Sequence, residues 1–381
     1  MSFRFILISF LFTCVLNAQD SLYTRKVIRY LCSEKCQGRG YVAKGLQHAE
    51  KFIVSELKAN HLLPLFGTSY TQAFQHPVNT FPGKMTLKVN GKVLKAGVDY
   101  IVDNRSPSGS GNVSLSNSDN GWFQSHAVGQ QKVQLVFKKK LTFSVSGTPS
   151  NVISFEIDST RFSEIPKQIS YEVEAKFIPD FESKNIGAYI EGKQNDTMMV
   201  FTAHYDHLGK MGKSTYFPGA NDNASGVSVL LNLIQYYKQH PPKYKTVFVF
   251  FAGEEAGLLG SKYFVNNRSL NLRTVKFLIN LDLLGTGDEG IMVVNGSVYT
   301  EAFDKLTAIN TRLNALPAVK KRGKASNSDH YWFTEAGVPS FFIYTMGGIK
   351  AYHDVFDIEK TLPLTKYKEV FQLLTQFTDE L

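Results

Sequence analysis

Between residues 21 and 65, apolar positions recur at spacings of three and four. The stretches "SLYTRKVIRYL" and "GLQHAEKFIVSELKANH" each carry one apolar stripe, which predicts two amphipathic helices. The glycine-marked "GRGYVAKG" between them predicts a loop. From about 78 to 178 the period drops to two. "GKMTLKVNGKVLKAG", "KVQLVFKKKLTFSVSG" and "QISYEVEAKFI" alternate in the manner of half-buried strands, separated by turn-rich segments such as "NRSPSGSGN". Beyond about 180 the pattern changes again. Four continuous apolar runs, "TMMVFTA" (197–203), "TVFVFFA" (246–252), "VKFLINL" (275–281) and "VPSFFIY" (338–344), alternate with helical stretches. Those stretches are "GVSVLLNLIQYYKQ", "GLLGSKYFVNN", "TEAFDKLTAINTRL" and "PLTKYKEVFQLLTQFTDEL". Strands that are apolar along their whole length need cover on both faces. The fold class is therefore α/β: a three-layer mixed sheet covered by helices on both faces, with a β-rich inserted module.

The N-terminus stands apart from this pattern. Arg4, an apolar run from Phe5 to Leu16 and then Asn17-Ala18-Gln19 read as a secretory signal cut after Ala18. The run is shorter than the roughly 20 residues a membrane helix needs. The expected organisation is a signal peptide at 1–18, the first part of the main domain at 19–77, the β-rich module at 78–178 and the rest of the main domain at 179–381. The mature chain is expected in the periplasm or outside the cell, with no membrane span. Export makes a Cys32–Cys36 disulfide in "LCSEKC" possible, but the spacing equally suits two free thiols on one helical face. Composition adds little: the chain is 43% hydrophobic and 20% charged, with a formal charge of +9. The basic residues are scattered apart from "KKK" (138–140) and "VKKRGK" (319–324), with no aromatic-interleaved stripe, so no nucleic-acid partner is expected.

The chemistry lies where the apolar strands stop. "MMVFTA" runs into His204-Tyr205-Asp206-His207, "VFVFFAG" into Glu254-Glu255, and "FLINL" into Asp282. Tyr352-His353-Asp354 follows the last strand, and Asp222 sits in "GANDNASG" between the first strand and its helix. Ligand sites in such sheets form at the carboxyl ends of the strands. Five metal-competent side chains, His204, Asp222, Glu255, Asp282 and His353, thus share one sheet edge. Two imidazoles and three carboxylates suit zinc or a similar divalent ion. Five ligands exceed what one catalytic zinc takes, but they fit two ions if one carboxylate bridges them. Asp222, short and set among small residues, is the natural bridge.

The motifs "AHYDHLG", "GANDNASG", "FAGEEAGLLGS", "NLDLLG", "SDHYWF" and "YHDVFD", in this order, resemble those of the co-catalytic di-zinc aminopeptidases of the bacterial leucyl aminopeptidase type. Glutamate carboxypeptidase, the transferrin receptor and glutaminyl cyclase are relatives of that family. The likeness covers roughly residues 21–77 and 180–381, and the β-rich stretch lies where family members often carry an accessory domain. It implies a zinc-peptidase (phosphorylase/hydrolase-like) fold holding two Zn2+ per chain, with Co2+ or Mn2+ as alternatives. One metal would be held by His204, Asp282 and Asp222, and the other by Glu255, His353 and the same Asp222. Glu254 would be the general base, Asp206 would accept from His204 and fix its tautomer, and Tyr352 would donate to the developing oxyanion. A cis Asp222–Asn223 peptide is also implied. His207 and His330 receive no assigned role, His330 being expected to line the pocket or serve the structure.

The implied activity is removal of N-terminal residues from peptides with a free amine. Carboxypeptidase or dipeptidase cleavage would use the same ligands. Glutaminyl cyclase, a single-zinc aminoacyl transferase, is the alternative reading, and a non-catalytic binding relative is the third. The oligomeric state is not legible.

Overall fold

The computed structural model describes residues 21–117, 122–125 and 131–381. The signal-peptide reading of residues 1–18 lies outside the described residues. The apolar runs form the centre of a nine-stranded mixed sheet. Tyr244–Phe251, Gln194–His204, Val275–Leu281 and Ser340–Met346 lie side by side in that order, all parallel. Antiparallel strands flank them: Lys176–Ile190 against Tyr244–Phe251, and Gly290–Val294 against Ser340–Met346. Val319–Lys321 closes the latter edge. In chain order Gln194–His204 comes first yet lies between its two successors, so the chain passes to one side of it and then crosses to the other. That is the switch point at which such sheets open a crevice.

Helices cover both faces. Gly226–Gln239 is buried along most of its length, including Val227, Leu230, Leu231 and Ile234, because the sheet lies on one side and the helices Ser21–Leu31 and Tyr367–Glu380 on the other. On the opposite face Leu259–Asn266 and His330–Glu335 pack through Phe264 and Phe333 against Phe251. No helix among the described residues is long and apolar enough to cross a membrane. Cys32 and Cys36 are buried and unlinked.

The β-rich stretch forms its own eight-stranded sheet between Met85 and Val173, at the end of a long ribbon in which Thr71–Thr80 pairs with Lys176–Ile190. The run "QISYEVEAKFI" is not one strand. Gln168–Val173 belongs to the module sheet and Lys176–Ile190 to the main sheet. The chain changes sheets at Glu174-Ala175, where Lys84 O accepts from Glu174 N and the Ser108 hydroxyl bonds both the N–H and the C=O of Ala175.

The module core is completed by residues from the main domain. Leu208, Met211 and Phe217, from the segment joining the His204 strand to Asp222, are buried among Leu87, Val102, Leu135 and Phe155. Phe217 stacks on Phe143 of the module at 4.7 Å between centroids with planes 6° apart. Burial of a ring of this size contributes several kcal/mol, and its removal leaves a cavity between the two cores. Phe217→Ala is therefore expected to cost about 3–5 kcal/mol of stability in urea denaturation. A loss under about 1 kcal/mol would mean that the module core does not hold this segment.

Candidate active site

Each ligand candidate is placed by a strand end. His204 is the last residue of its strand and 1% exposed. Asp282 directly follows Leu281, Glu254 and Glu255 lie just beyond Phe251, and His353 lies in the loop after Met346. Asp222 sits in a tight turn, Ala220–Ser225, that runs into the helix Gly226–Gln239. The Asp222–Asn223 peptide is cis.

The two oxygens of Asp222 face different imidazoles. Oδ1 lies 3.3 Å from His204 Nε2, and Oδ2 lies 3.2 Å from His353 Nε2. Asp282 Oδ2 is 3.4 Å from the same nitrogen of His204, and Glu255 Oε2 is 3.2 Å from the same nitrogen of His353. The site is thus two imidazole–carboxylate pairs with one carboxylate between them. Ligand atoms of His204, Asp222 and Glu255 lie within 4.8 Å of one another, as do those of His204, Glu254 and Asp282.

This donor set fits divalent ions. No lysine or arginine among the described residues forms an ion pair with Asp206, Asp222, Glu254, Glu255 or Asp282; the ion pairs of Asp206, Asp222, Glu255 and Asp282 are all with imidazoles. Asp282 Oδ1 is buried without a hydrogen-bond partner. So many buried carboxylates without cationic partners would be expensive. Proton affinities report the same deficit. Burial opposes the charged forms of His204 and His353, but the surrounding carboxylates outweigh it, holding His204 well above its usual value and pushing His353 up to about 11. Hydrogen bonds from the two imidazoles outweigh burial at Asp222 and hold it well below the usual range. Glu255 falls to about 2, because His353 and His207 more than offset its burial. Glu254 goes the other way: burial, with the Glu255, Asp329 and Asp282 charges, raises it well above the usual range against the pull of His204.

Around the ligand candidates lies a layer of support, of which Asp206 alone was an expected member. His204 Nδ1 is 3.2 Å from the main-chain oxygen of Asp206 and 3.7 Å from its carboxylate. That carboxylate accepts instead from the Tyr41 hydroxyl at 2.6 Å and from the amides of Glu254 and Glu255 at 3.3 Å. Asp206 therefore fixes the turn that carries both glutamates. Arg39 is fully buried and donates only to main-chain oxygens among these contacts: Leu31, Tyr205, Pro218, Gly219 and Asp222. Asp357, pushed up to about 6 by burial, accepts from the amides of Asn221 and Asp222. Arg39 and Asp357 thus pin the bridging turn by its carbonyls and by its amides. His207 Nδ1 lies 2.7 Å from Glu255 Oε1 and 3.9 Å from Asp222, which places it against two of the ligand candidates. Arg39 and Tyr41 fall in "GRGYVAKG", which reads only as a loop; Asp357 and His207 fall inside quoted motifs but had no role.

The module reaches the loop that carries His353. Phe143 N donates to His353 O at 2.9 Å, and Lys140 Nζ donates to Lys350 O at 2.7 Å and lies 3.7 Å from Asp354. His353 is held at a φ of 53°, a left-handed conformation unusual for a residue other than glycine. Tyr352 stacks on the His353 ring at 4.0 Å and is 41% exposed, at the mouth of the cavity before the ligands. His330 is buried against Phe342, with neither ring nitrogen hydrogen-bonded to a side chain. Burial lowers it to about 4, which favours the neutral ring.

The family description "Peptidase family M28" matches residues 185–378, just over half of the chain. Aminopeptidase YwaD of Bacillus subtilis (strain 168) is 28% identical over 209 residues, covering 52% of this chain and 44% of that protein. A probable leucine aminopeptidase of Trichophyton verrucosum is 29% identical over 212 residues, 53% of this chain and 58% of that one. The match thus spans about half the length of these relatives. Among solved structures, BSAP, a zinc aminopeptidase from Bacillus subtilis, superposes with a TM-score of 0.71 at 19% identity over 94% of each chain. The aminopeptidase from Aneurinibacillus sp. strain AM-1 gives 0.65 at 18% identity, over 94% of this chain and 93% of that one. At such identities these two likenesses speak for the fold. Together with the family match across every ligand-bearing strand end, they show that the chain belongs to peptidase family M28.

Proposed function

We propose that this chain is an exported zinc-dependent aminopeptidase that releases N-terminal residues from peptides. The observation that carries this reading is the Asp222 carboxylate, whose two oxygens face the His204–Asp282 and His353–Glu255 pairs at 3.2–3.4 Å. His204, Asp282 and Asp222 would hold one zinc ion, and Glu255, His353 and Asp222 the other. Bound there, zinc would supply Lewis acidity to the scissile carbonyl and make the attacking water more acidic. Glu254, with its raised proton affinity, would take the proton from that water and deliver it to the leaving amine. Asp206 keeps Glu254 in place through its amide. Tyr352 stands at the cavity mouth, where its phenol can donate to the developing oxyanion. The acidic residues of the site would receive the free α-amine of the substrate. A complete second pair, His353 with Glu255, favours this reading over a single-zinc cyclase. The apolar N-terminal run with Ala18 supports export.

Metal analysis of the purified protein is expected to give two ions per chain. Chelation should abolish hydrolysis of aminoacyl-anilides and lower the unfolding midpoint, because the clustered carboxylates lose their cations. A metal present at 100 times its Kd stabilises by about 2.7 kcal/mol. One ion per chain, with ring closure of N-terminal glutamine instead of hydrolysis, would replace this reading with the cyclase. Glu254→Gln is expected to lower kcat by about 10²–10⁴ with metal content unchanged. Full activity in that variant would remove Glu254 from the mechanism.

A further inference from the structure

The cavity in front of the ligand candidates, about 230 Å³, is lined by two unlike sets of side chains. One holds the imidazoles and carboxylates. The other is formed by Leu283, Arg322, Asn327, Phe342 and Tyr344. The strand register explains why three of these meet. Met292 pairs with both Tyr344 and Lys320, so those side chains share a face. Phe342 and Arg322 lie two residues from Tyr344 and Lys320, and the pleat returns them to the same face. The main chain of Arg322 is anchored on both sides, its N–H to Val293 O at 2.9 Å and its C=O to Ser297 N at 3.2 Å. Its side chain crosses to the Tyr344 hydroxyl, to which Nη1 donates at 3.3 Å.

Two nearby lysines are engaged elsewhere. Lys324 pairs with Glu335, and Lys321 lies over the Phe303 ring at 5.0 Å. Arg322 faces the cavity and has no carboxylate partner among the described residues. A guanidinium presents a planar fork of donors that matches a carboxylate. Arg322 is itself exposed, and Leu283 and Phe342 line the same cavity beside it.

We propose that Arg322, oriented by Tyr344, is a specificity residue that receives a carboxylate carried by the substrate close to the scissile bond. The inference rests on the aminopeptidase reading given above. Two substrate classes offer this chemistry: peptides beginning with Asp or Glu, through the side chain, and dipeptides, through the α-carboxylate. An acidic preference departs from what an apolar pocket alone would select.

The test uses zinc-loaded full-length protein and the Arg322→Met variant, which leaves every ligand in place. Glutamyl- against leucyl-anilide reads the first class, and Leu-Gly against Leu-Gly-amide the second. A charge-assisted hydrogen bond contributes about 1.5–3 kcal/mol, so the preference for the carboxylate-bearing member of one pair should fall by roughly 10–100-fold in kcat/KM. The neutral member should change by no more than about 3-fold. The pair that loses its preference identifies the source. Arg322→Lys, which keeps the charge but not the fork, should recover only part of it. Equal ratios in wild type and Arg322→Met for both pairs would overturn the proposal. If the wild-type protein cuts none of these substrates, the aminopeptidase reading fails separately. Calorimetry with L-glutamate against L-leucine, and with the uncut Leu-Gly pair, then tests Arg322 without turnover. Binding indifferent to Arg322→Met would sink the inference there too.

Discussion

The arrangement of the site depends on one carboxylate that must face two ways. Asp222 can do so only if its backbone is fixed independently of its side chain, because both oxygens are committed to the pairs on either side. The fold supplies that fixation from opposite ends of the sequence. Arg39 draws the carbonyls of the turn to one side, and Asp357 gathers its amides on the other. A buried guanidinium is tolerable here because it is saturated by carbonyl oxygens, and charge-assisted bonds to main-chain oxygens satisfy it as well as a carboxylate would. Adding a carboxylate next to it would bring another negative charge toward a site already crowded with them.

The inserted module belongs to the same solution. It touches both halves of the centre through the segments that lead into them: Phe143 against Phe217 before Asp222, and Lys140 and Phe143 against the His353 loop. Its own core is partly made of main-domain residues, so the two hydrophobic clusters are joined at the loops that carry the ligand candidates rather than at a remote hinge. Loops carry the chemistry, as in most enzymes, and here they are clamped between two sheets.

How legible all this was in the sequence follows from where each residue acts. His204, Glu255 and Asp282 stood out as candidates because each lies at or within a few residues of the end of an apolar run, and Asp222 because it sits among small residues; His353 lies farther past its strand, and the role of Glu254 came from the family resemblance. Arg39, Tyr41 and Lys140 could not be read, since they bond main-chain atoms or side chains whose positions exist only after the chain has folded back over 100 residues or more. His207 stayed unassigned because a second histidine three residues after a ligand looks the same whether it caps a turn or, as here, contacts Glu255. The break at Glu174-Ala175 was invisible because alternation continues through it while the strand changes partners.

The spread of Arg39, Asp222, His353 and Asp357 along the chain bears on synthesis. The bridging turn needs Arg39 from near one end and Asp357 from near the other. A ribosome-bound fragment that has already made His204, Asp222 and Glu254 therefore lacks the groups that hold them in register. The bridging turn can be fixed from both sides only once the chain has passed residue 357, so this part of the site is among the last that can form.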